Sequence, residues 1–215
     1  MKKLFILVTL ILSACSTFET PRYSVTEYTN SAIVARDIKD VNIGDFTGYA
    51  FYNAGCKFKG PVATSDDLTF SKYIQRAFVA EFISAHAFNP ASPTTLYGRI
   101  NKLKFASSAG NATGSWDIEI TLKSSNGNSR LFTEHYVFPS DLNDATACAL
   151  TAKAFASATQ SLIANIIETP EFMLLVNNKP DKQDFVLAVA NSTLFTHRNF
   201  LSTLYNDNRE LISYW

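Results

Sequence analysis

The chain has 215 residues with 19 basic and 19 acidic side chains, so its formal net charge is zero. The chain thus lacks the excess of basic residues that is typical of nucleic-acid-binding proteins, and we expect no nucleic-acid partner. A hydrophobic content of 47%, with 17 Phe and 9 Tyr, is sufficient for a sizeable core. Only 8 Gly argue against a fold dominated by loops.

Residues 1–14 have the pattern of a signal peptide. Lys2 and Lys3 precede an uncharged run over residues 4–14. Its length fits a signal core of roughly 7 to 15 residues better than a membrane-spanning helix, which needs roughly 20 apolar residues. The alternative is a buried N-terminal helix. Removal of residues 1–14 would leave a mature chain with two more acidic than basic side chains.

The Leu-Ser-Ala-Cys sequence that ends at Cys15 resembles the lipobox of bacterial lipoproteins. The resemblance implies that Cys15 becomes the acylated first residue of the mature protein. At about 0.8 kcal/mol for each buried methylene, two or more acyl chains would hold it firmly on a bilayer. In such lipoproteins the residue after the cysteine directs sorting, and Ser16 in place of Asp implies the outer membrane. We therefore expect a lipid-anchored protein at the periplasmic face of the outer membrane.

A polar segment leads from the lipid anchor into the predicted domain. Residues 15–31, which include the acylated cysteine, are rich in Ser and Thr and predict a tether. The domain is expected over residues 32–176, with a first strand over residues 32–43 whose apolar alternation is imperfect. The following loop, GDFTGYAFYNAGCKFKGP, is rich in glycine and aromatic residues. It is either a binding loop or a cover over the edge of the core.

The first helix is predicted within residues 64–88. Ser65, Asp66 and Asp67 are available as N-caps, and the helix is expected to end before Asn89-Pro90. Its apolar residues recur at spacings of three and four, which predicts a buried stripe consisting of Phe70, Tyr73, Ile74, Ala77, Phe78, Phe82 and Ile83.

Three strands are predicted after this helix. The segment TLYGRINKLKFASS changes its apolar phase between Ile100 and Leu103, which predicts a β-bulge or a strand buried on both faces. The segment SWDIEITLK alternates strictly, and Asn126-Gly127 favours a hairpin turn into a return strand that stops at Pro139. We expect one face of this hairpin to contact water.

An alanine-rich segment predicts the last long helix. Asn143 or Asp144 is the expected N-cap, and Pro170 follows the helix. A short apolar run then ends the domain near Val176. Residues 177–215 consist of a polar linker and an aromatic tail, which either packs back on the domain or docks on a partner.

The order of these elements predicts an α+β fold. A β-α-β-β-β-α order corresponds to a mostly antiparallel sheet with both helices packed on one face. We expect the first β-α-β unit to form a right-handed crossover.

The acylation of Cys15 leaves two cysteines, Cys56 and Cys148. An even number of cysteines in an oxidising compartment predicts a disulfide. The bond would close a loop of about 93 residues, worth roughly 4 kcal/mol in the chain-entropy model. Two separate buried thiols are the alternative, and a reactive Cys148 near a helix N-terminus is a further one. A metal site is disfavoured because no histidine lies near either cysteine in sequence.

The lipobox, the polar tether, the TFSKYIQRAFVAEF helix, the three-stranded meander and the alanine-rich helix ending in IIETPEF resemble a known group of lipoproteins. These are the small outer-membrane lipoproteins of the YajG and ABC-type transport auxiliary group. The resemblance implies a non-enzymatic envelope component, in some members an accessory to lipid transport, with no catalytic residues and no cofactor. It covers about residues 15–176.

Motifs for catalysis are weak in this sequence. His86, His135 and His197 do not have the spacing of zinc ligands, and no nucleophile elbow or phosphate-binding loop is present. Asp117 and Glu119 resemble a glycosidase carboxylate pair, although strand alternation already explains them. We therefore expect a binding or scaffold protein with an envelope protein partner. The alternative is a periplasmic hydrolase acting on cell-wall or lipid substrates.

Overall fold

The computed structural model describes residues 17–48, 55–108 and 112–177, which form an α+β fold. Strands and helices follow one another along these residues in the order β1 Phe18–Glu19, α1 Glu27–Ala35, β2 Asn42–Thr47, β3 Gly55–Cys56, β4 Gly60–Ala63, α2 Phe70–Ser84, β5 Thr95–Ala106, β6 Thr113–Ser124, β7 Ser129–Pro139, α3 Asp144–Glu168 and α4 Pro170–Val176.

The main sheet has four strands in the order β2-β5-β6-β7. Strand β2 pairs with β5 in parallel, and the other two pairs are antiparallel, so the sheet is mixed. The register between β5 and β6 shifts between Ile100 and Lys102, which confirms the predicted bulge. The β6–β7 hairpin is also confirmed, and Gly127 has the positive φ of 94° that its turn requires.

Both long helices cover one face of this sheet, as predicted. Helix α2 packs on β2 and β5, and helix α3 packs on β6 and β7. The apolar residues of β6 alternate strictly and are all buried in the shared core, namely Trp116, Ile118, Ile120 and Leu122. The Trp116 indole N–H donates to the Thr151 carbonyl oxygen at 3.0 Å, so its one polar atom has a partner in α3.

Further elements pack against these two helices. Helix α1 contacts α2 and α3, and a small sheet with strand order β1-β4-β3 contacts α3. The opposite face of the main sheet, which we call the open face, carries half-exposed apolar side chains among the described residues, including Tyr97, Leu131 and Val137.

The predicted first strand over residues 32–43 is wrong in its first part. Residues up to Ala35 belong to helix α1, where Thr26 is the N-cap and Thr29 and Ile33, one turn apart, are the buried positions. Asp37 and Asp40 then have positive φ values of 53° and 57°, which separate α1 from β2. The imperfect alternation in this segment was the combined pattern of a helix, a turn and a strand.

The start of the predicted first helix is also corrected. Helix α2 begins at Phe70, and the Thr69 hydroxyl accepts from the Lys72 N–H at 3.2 Å as its N-cap. Residues Ser65–Asp67 form a separate 3₁₀ turn, in which Asp66 and Asp67 have positive φ. The stripe is buried as predicted except for Ile83, which is 54% exposed.

The two C-terminal helices lie close to the positions predicted from the sequence. Helix α3 spans Asp144–Glu168, and the Asn143 side chain accepts from the N–H groups of Ala145 and Thr146. Helix α4 buries Phe172, Leu175 and Val176, and it ends at the residue where the domain was expected to end. Residues 178–215 of the predicted tail lie outside the described residues.

Candidate functional site

Cys56 and Cys148 lie side by side in the structure. Cys56 Sγ in β3 lies 2.05 Å from Cys148 Sγ in α3, and their Cα atoms are 5.8 Å apart, as in disulfides. Both residues are buried. The predicted partners are thus brought to bonding distance, and the bond joins the small sheet to the first turns of α3.

We predict that this bond stabilises the protein without serving its chemistry. The double variant Cys56→Ser/Cys148→Ser should lose about 2 to 5 kcal/mol of unfolding free energy, because its unfolded chain is no longer constrained across 92 positions. Urea unfolding of both proteins measures the difference. Mass spectrometry of non-reduced, digested protein from the periplasm should recover the two cysteines in one cross-linked peptide. Recovery of both as free thiols would contradict the prediction.

The segment predicted as a tether is largely folded onto the domain. We call residues 17–26 the N-terminal strap. Its strand β1 pairs in parallel with β4, matching Phe18 to Val62 and Glu19 to Ala63. The Thr20 N–H then donates to the Ala63 carbonyl oxygen at 2.9 Å. Cys15 and Ser16 themselves lie outside the described residues.

Both long helices hold the rest of the strap. The Tyr73 hydroxyl of α2 donates to the Pro21 carbonyl oxygen at 2.8 Å. The Gln160 side chain of α3 donates to the Ser24 carbonyl oxygen, also at 2.8 Å. Because these hydrogen bonds are made to backbone carbonyl groups, they fix the path of the strap backbone.

The centre of this attachment is the carboxylate of Glu81 in α2, which is fully buried. Its Oε1 accepts from the Tyr23 hydroxyl at 2.6 Å and from the Thr26 N–H at 3.0 Å. Thr26 is the N-cap of α1, so the carboxylate lies at the positive end of that helix. The other oxygen, Oε2, has no hydrogen-bond partner among the residues that the structure describes.

The environment of Glu81 shifts the pKa of Glu81 and the pKa of Tyr23. Burial raises the pKa of Glu81 above its ordinary value, and the hydrogen bonds from Tyr23 and Thr26 offset only part of this shift. The pKa of Tyr23 is also raised, first by burial and then by its bond to Glu81. A neutral Glu81 carboxyl group is therefore favoured in the folded state relative to the unfolded state.

Glu81 was missed in the sequence, although a signal was present. Position 81 is three residues after Phe78 and four after Ala77, so it lies on the buried stripe of α2. A charged residue in an apolar stripe indicates a buried partner. The identity of that partner, more than 50 positions earlier in the chain, was not accessible from the helix pattern.

We predict that Glu81 makes stability pH-dependent. Because the pKa of Glu81 is raised on folding, the stability that this shift adds is fully present below the unfolded value near 4.5 and is lost as the pH rises through the folded value. The unfolding free energy of the wild-type protein, measured relative to that of Glu81→Gln, should therefore fall with rising pH in this window. Urea unfolding at a series of pH values measures it.

Two further variants test the same contact. Glu81→Ala should cost about 2 to 4 kcal/mol at neutral pH, because it leaves a cavity and two donors without their acceptor. Glu171→Gln, at an exposed position in α4, is the matched control and should leave the pH profile unchanged. Identical pH profiles for the wild-type protein and Glu81→Gln would contradict the assignment.

The carboxylate pair of the hydrolase alternative, Asp117 and Glu119, lies in β6 on the open face of the main sheet, where His135 of β7 joins it. Asp117 and His135 are paired across β6 and β7, and Asp117 Oδ1 lies 2.6 Å from His135 Nδ1. Lys102 Nζ lies 3.4 Å from Asp117 Oδ2. The His135 hydrogen bond lowers the pKa of Asp117 against a smaller opposing effect of burial, and Lys102 adds to the lowering.

This polar cluster is open to water. The side chains of Asp117 and His135 are 37% and 63% exposed. An aspartate that is hydrogen-bonded to Nδ1 orients an imidazole ring, as in acid-base catalysis. The same contact is equally typical of a polar pair on a solvated sheet face. Within residues 17–48, 55–108 and 112–177, no group of three or more His, Cys, Asp or Glu side chains is arranged to hold a metal ion.

None of the described helices is both long enough and apolar enough to cross a membrane. The segment predicted as a signal peptide, residues 1–14, lies outside the described part of the chain. Its removal and the acylation of Cys15 therefore stay predictions.

Comparison with known proteins gives a structural likeness. No protein-family model matches the chain, and no curated protein sequence matches it. The crystal structure of protein XCC0632 from Xanthomonas campestris, described under the family model DUF330, is similar with a TM-score of 0.50. The alignment covers 75% of this chain and 96% of that chain at 13% sequence identity. At this identity the likeness concerns the fold alone.

Proposed function

We propose that this protein is a non-enzymatic lipoprotein of the bacterial outer membrane, anchored through acylated Cys15, that binds an envelope protein partner at the periplasmic face. The lipobox and the preceding signal-peptide pattern support the anchor. The resemblance to the YajG and transport auxiliary lipoproteins supports a binding role, such as an accessory to envelope or lipid transport.

One structural observation carries the proposal, namely that the strap is attached to the domain directly after the expected anchor. Cys15 precedes Phe18 in β1 by only three positions, a distance of at most about 11 Å when extended. A flexible tether of the 17 residues first expected would place its ends about 20 to 25 Å apart on average. The strap would therefore hold the domain close to the membrane surface.

We predict that acylation of Cys15 keeps the protein on the membrane. Cys15→Ala should yield an unprocessed precursor or a soluble species, because the acyl chains supply the binding free energy. Membrane fractionation and the size of the mature protein measure the outcome. Ser16→Ala is the matched control and should remain in the outer-membrane fraction, whereas Ser16→Asp should shift the protein to the inner membrane. Unchanged size and membrane association of Cys15→Ala would overturn the anchor.

The binding role has its own test. We expect cross-linking of the acylated full-length protein in cells, followed by affinity isolation, to recover one envelope protein in a fixed ratio. Glu81→Ala is a useful second sample, since a loosened strap should change the cross-linked sites near the N-terminus before it abolishes binding elsewhere. Isolation of the chain with no other protein would contradict the binding role and leave the anchor as a separate result.

A further inference from the structure

The β3–β4 hairpin ends in an unusual turn. The Lys59 N–H donates to the Cys56 carbonyl oxygen at 2.8 Å, which makes Lys57 and Phe58 the two central residues. Both have positive φ, 47° and 58°, as a type I′ turn requires. Asn and Gly normally occupy such positions because larger side chains are strained there.

Phe58 is also fully exposed, with a relative accessibility of 110%. The positive φ strains the backbone at this bulky residue, and its aromatic ring is exposed to water. Both features lower the stability of the isolated domain. Strained residues of this kind concentrate at functional sites, where the side chain is needed for a contact outside the domain. An exposed phenyl ring beside Lys59, which is exposed as well, suits the boundary between lipid headgroups and acyl chains.

Two contacts with α3 hold the turn that carries Phe58. Cys56, directly before the turn, is joined to Cys148 in α3. Lys57 Nζ lies 2.9 Å from Asp144 Oδ1, at the start of the same helix. The charge of Lys57 is therefore already compensated, and Lys59 is the cation that remains for an anionic headgroup.

The direction of the strands brings the turn close to the expected lipid anchor. Strands β1 and β4 are parallel, with Phe18 opposite Val62, so their N-terminal ends lie at the same edge of the small sheet. The turn leads into β4 at that edge. The chain from Cys15 enters β1 at the same edge, three residues before Phe18. Phe58 and the N-terminal end of β1, which follows the expected anchor by three positions, thus lie at one end of the small sheet.

We propose that the turn Lys57-Phe58-Lys59 is a second membrane contact, in which Phe58 inserts into the bilayer that holds acylated Cys15 and Lys59 binds an anionic phospholipid headgroup. The inference rests on the proposed lipid anchor. The acyl chains already supply the affinity, so the contribution of the turn is orientation. With two contacts at one end of the small sheet, the domain would be held in one orientation on the membrane.

The experiment places a fluorescent probe at the turn. Full-length acylated protein carrying Phe58→Trp and Trp215→Phe is reconstituted into vesicles of phosphatidylcholine and phosphatidylglycerol, with and without brominated acyl chains. Trp116 remains as a constant background because it is fully buried. We expect Phe58→Trp to show a blue-shifted emission maximum and a loss of intensity with brominated lipid. Leu131→Trp in the same background, at a half-exposed position of the open face, is the matched control and should show neither.

The lipid and variant series separates the two parts of the proposal. Quenching at position 58 should weaken in vesicles of phosphatidylcholine alone, and Lys59→Glu should remove this dependence on anionic lipid. Flotation with the vesicles reports the anchor independently. A protein that floats without quenching at position 58, or with equal quenching at positions 58 and 131, overturns the turn contact alone. A protein that does not float overturns the proposed anchor and the turn contact with it.

Discussion

The buried Glu81 carboxyl group is the constraint on which the N-terminal part of the structure depends. Burying such a group is costly unless donors compensate it, and here the donors come from Tyr23 and Thr26 in the strap. Thr26 also caps α1 by accepting from the Thr29 N–H at 3.2 Å. The path of the strap and the start of α1 are therefore one arrangement, because the same residue serves both and Glu81 requires it in one place.

A series of aromatic contacts joins this arrangement to the centre of the core. The Tyr23 and Tyr73 rings meet edge to face with centroids 6.4 Å apart. Tyr73 then contacts Phe155 at 5.3 Å, and Phe155 contacts Trp116 of the main sheet at 4.7 Å. Aromatic pairs in these geometries are attractive beyond the area they bury. The strap is thus an extension of the core, which explains why residues 17–31 fold together with the domain.

The elements that sequence could predict are those whose pattern is long and local. Helix α3 and strand β6 repeat their apolar period over several turns or pleats. The type of each element and its buried face could therefore both be predicted. Strands β1 and β3 have only two residues each and carry no period, because they exist through pairing with β4. The cysteine pair could be predicted from the even number of cysteines and the expected oxidising compartment. The Glu81 site could not be predicted, because its donors lie in a segment whose polar composition indicated a tether.

Two independent attachments meet at the edge where β1 pairs with β4. The pairing itself matches only Phe18 with Val62 and Glu19 with Ala63, which is too short to persist alone. Strand β4 is held through the hairpin by Cys56 and Cys148, and β1 is held through the rest of the strap by Glu81 and its partners. Loss of either attachment would release one strand and leave the other without its neighbour. The position of β1 is therefore set by a covalent bond on one side and a buried carboxyl group on the other.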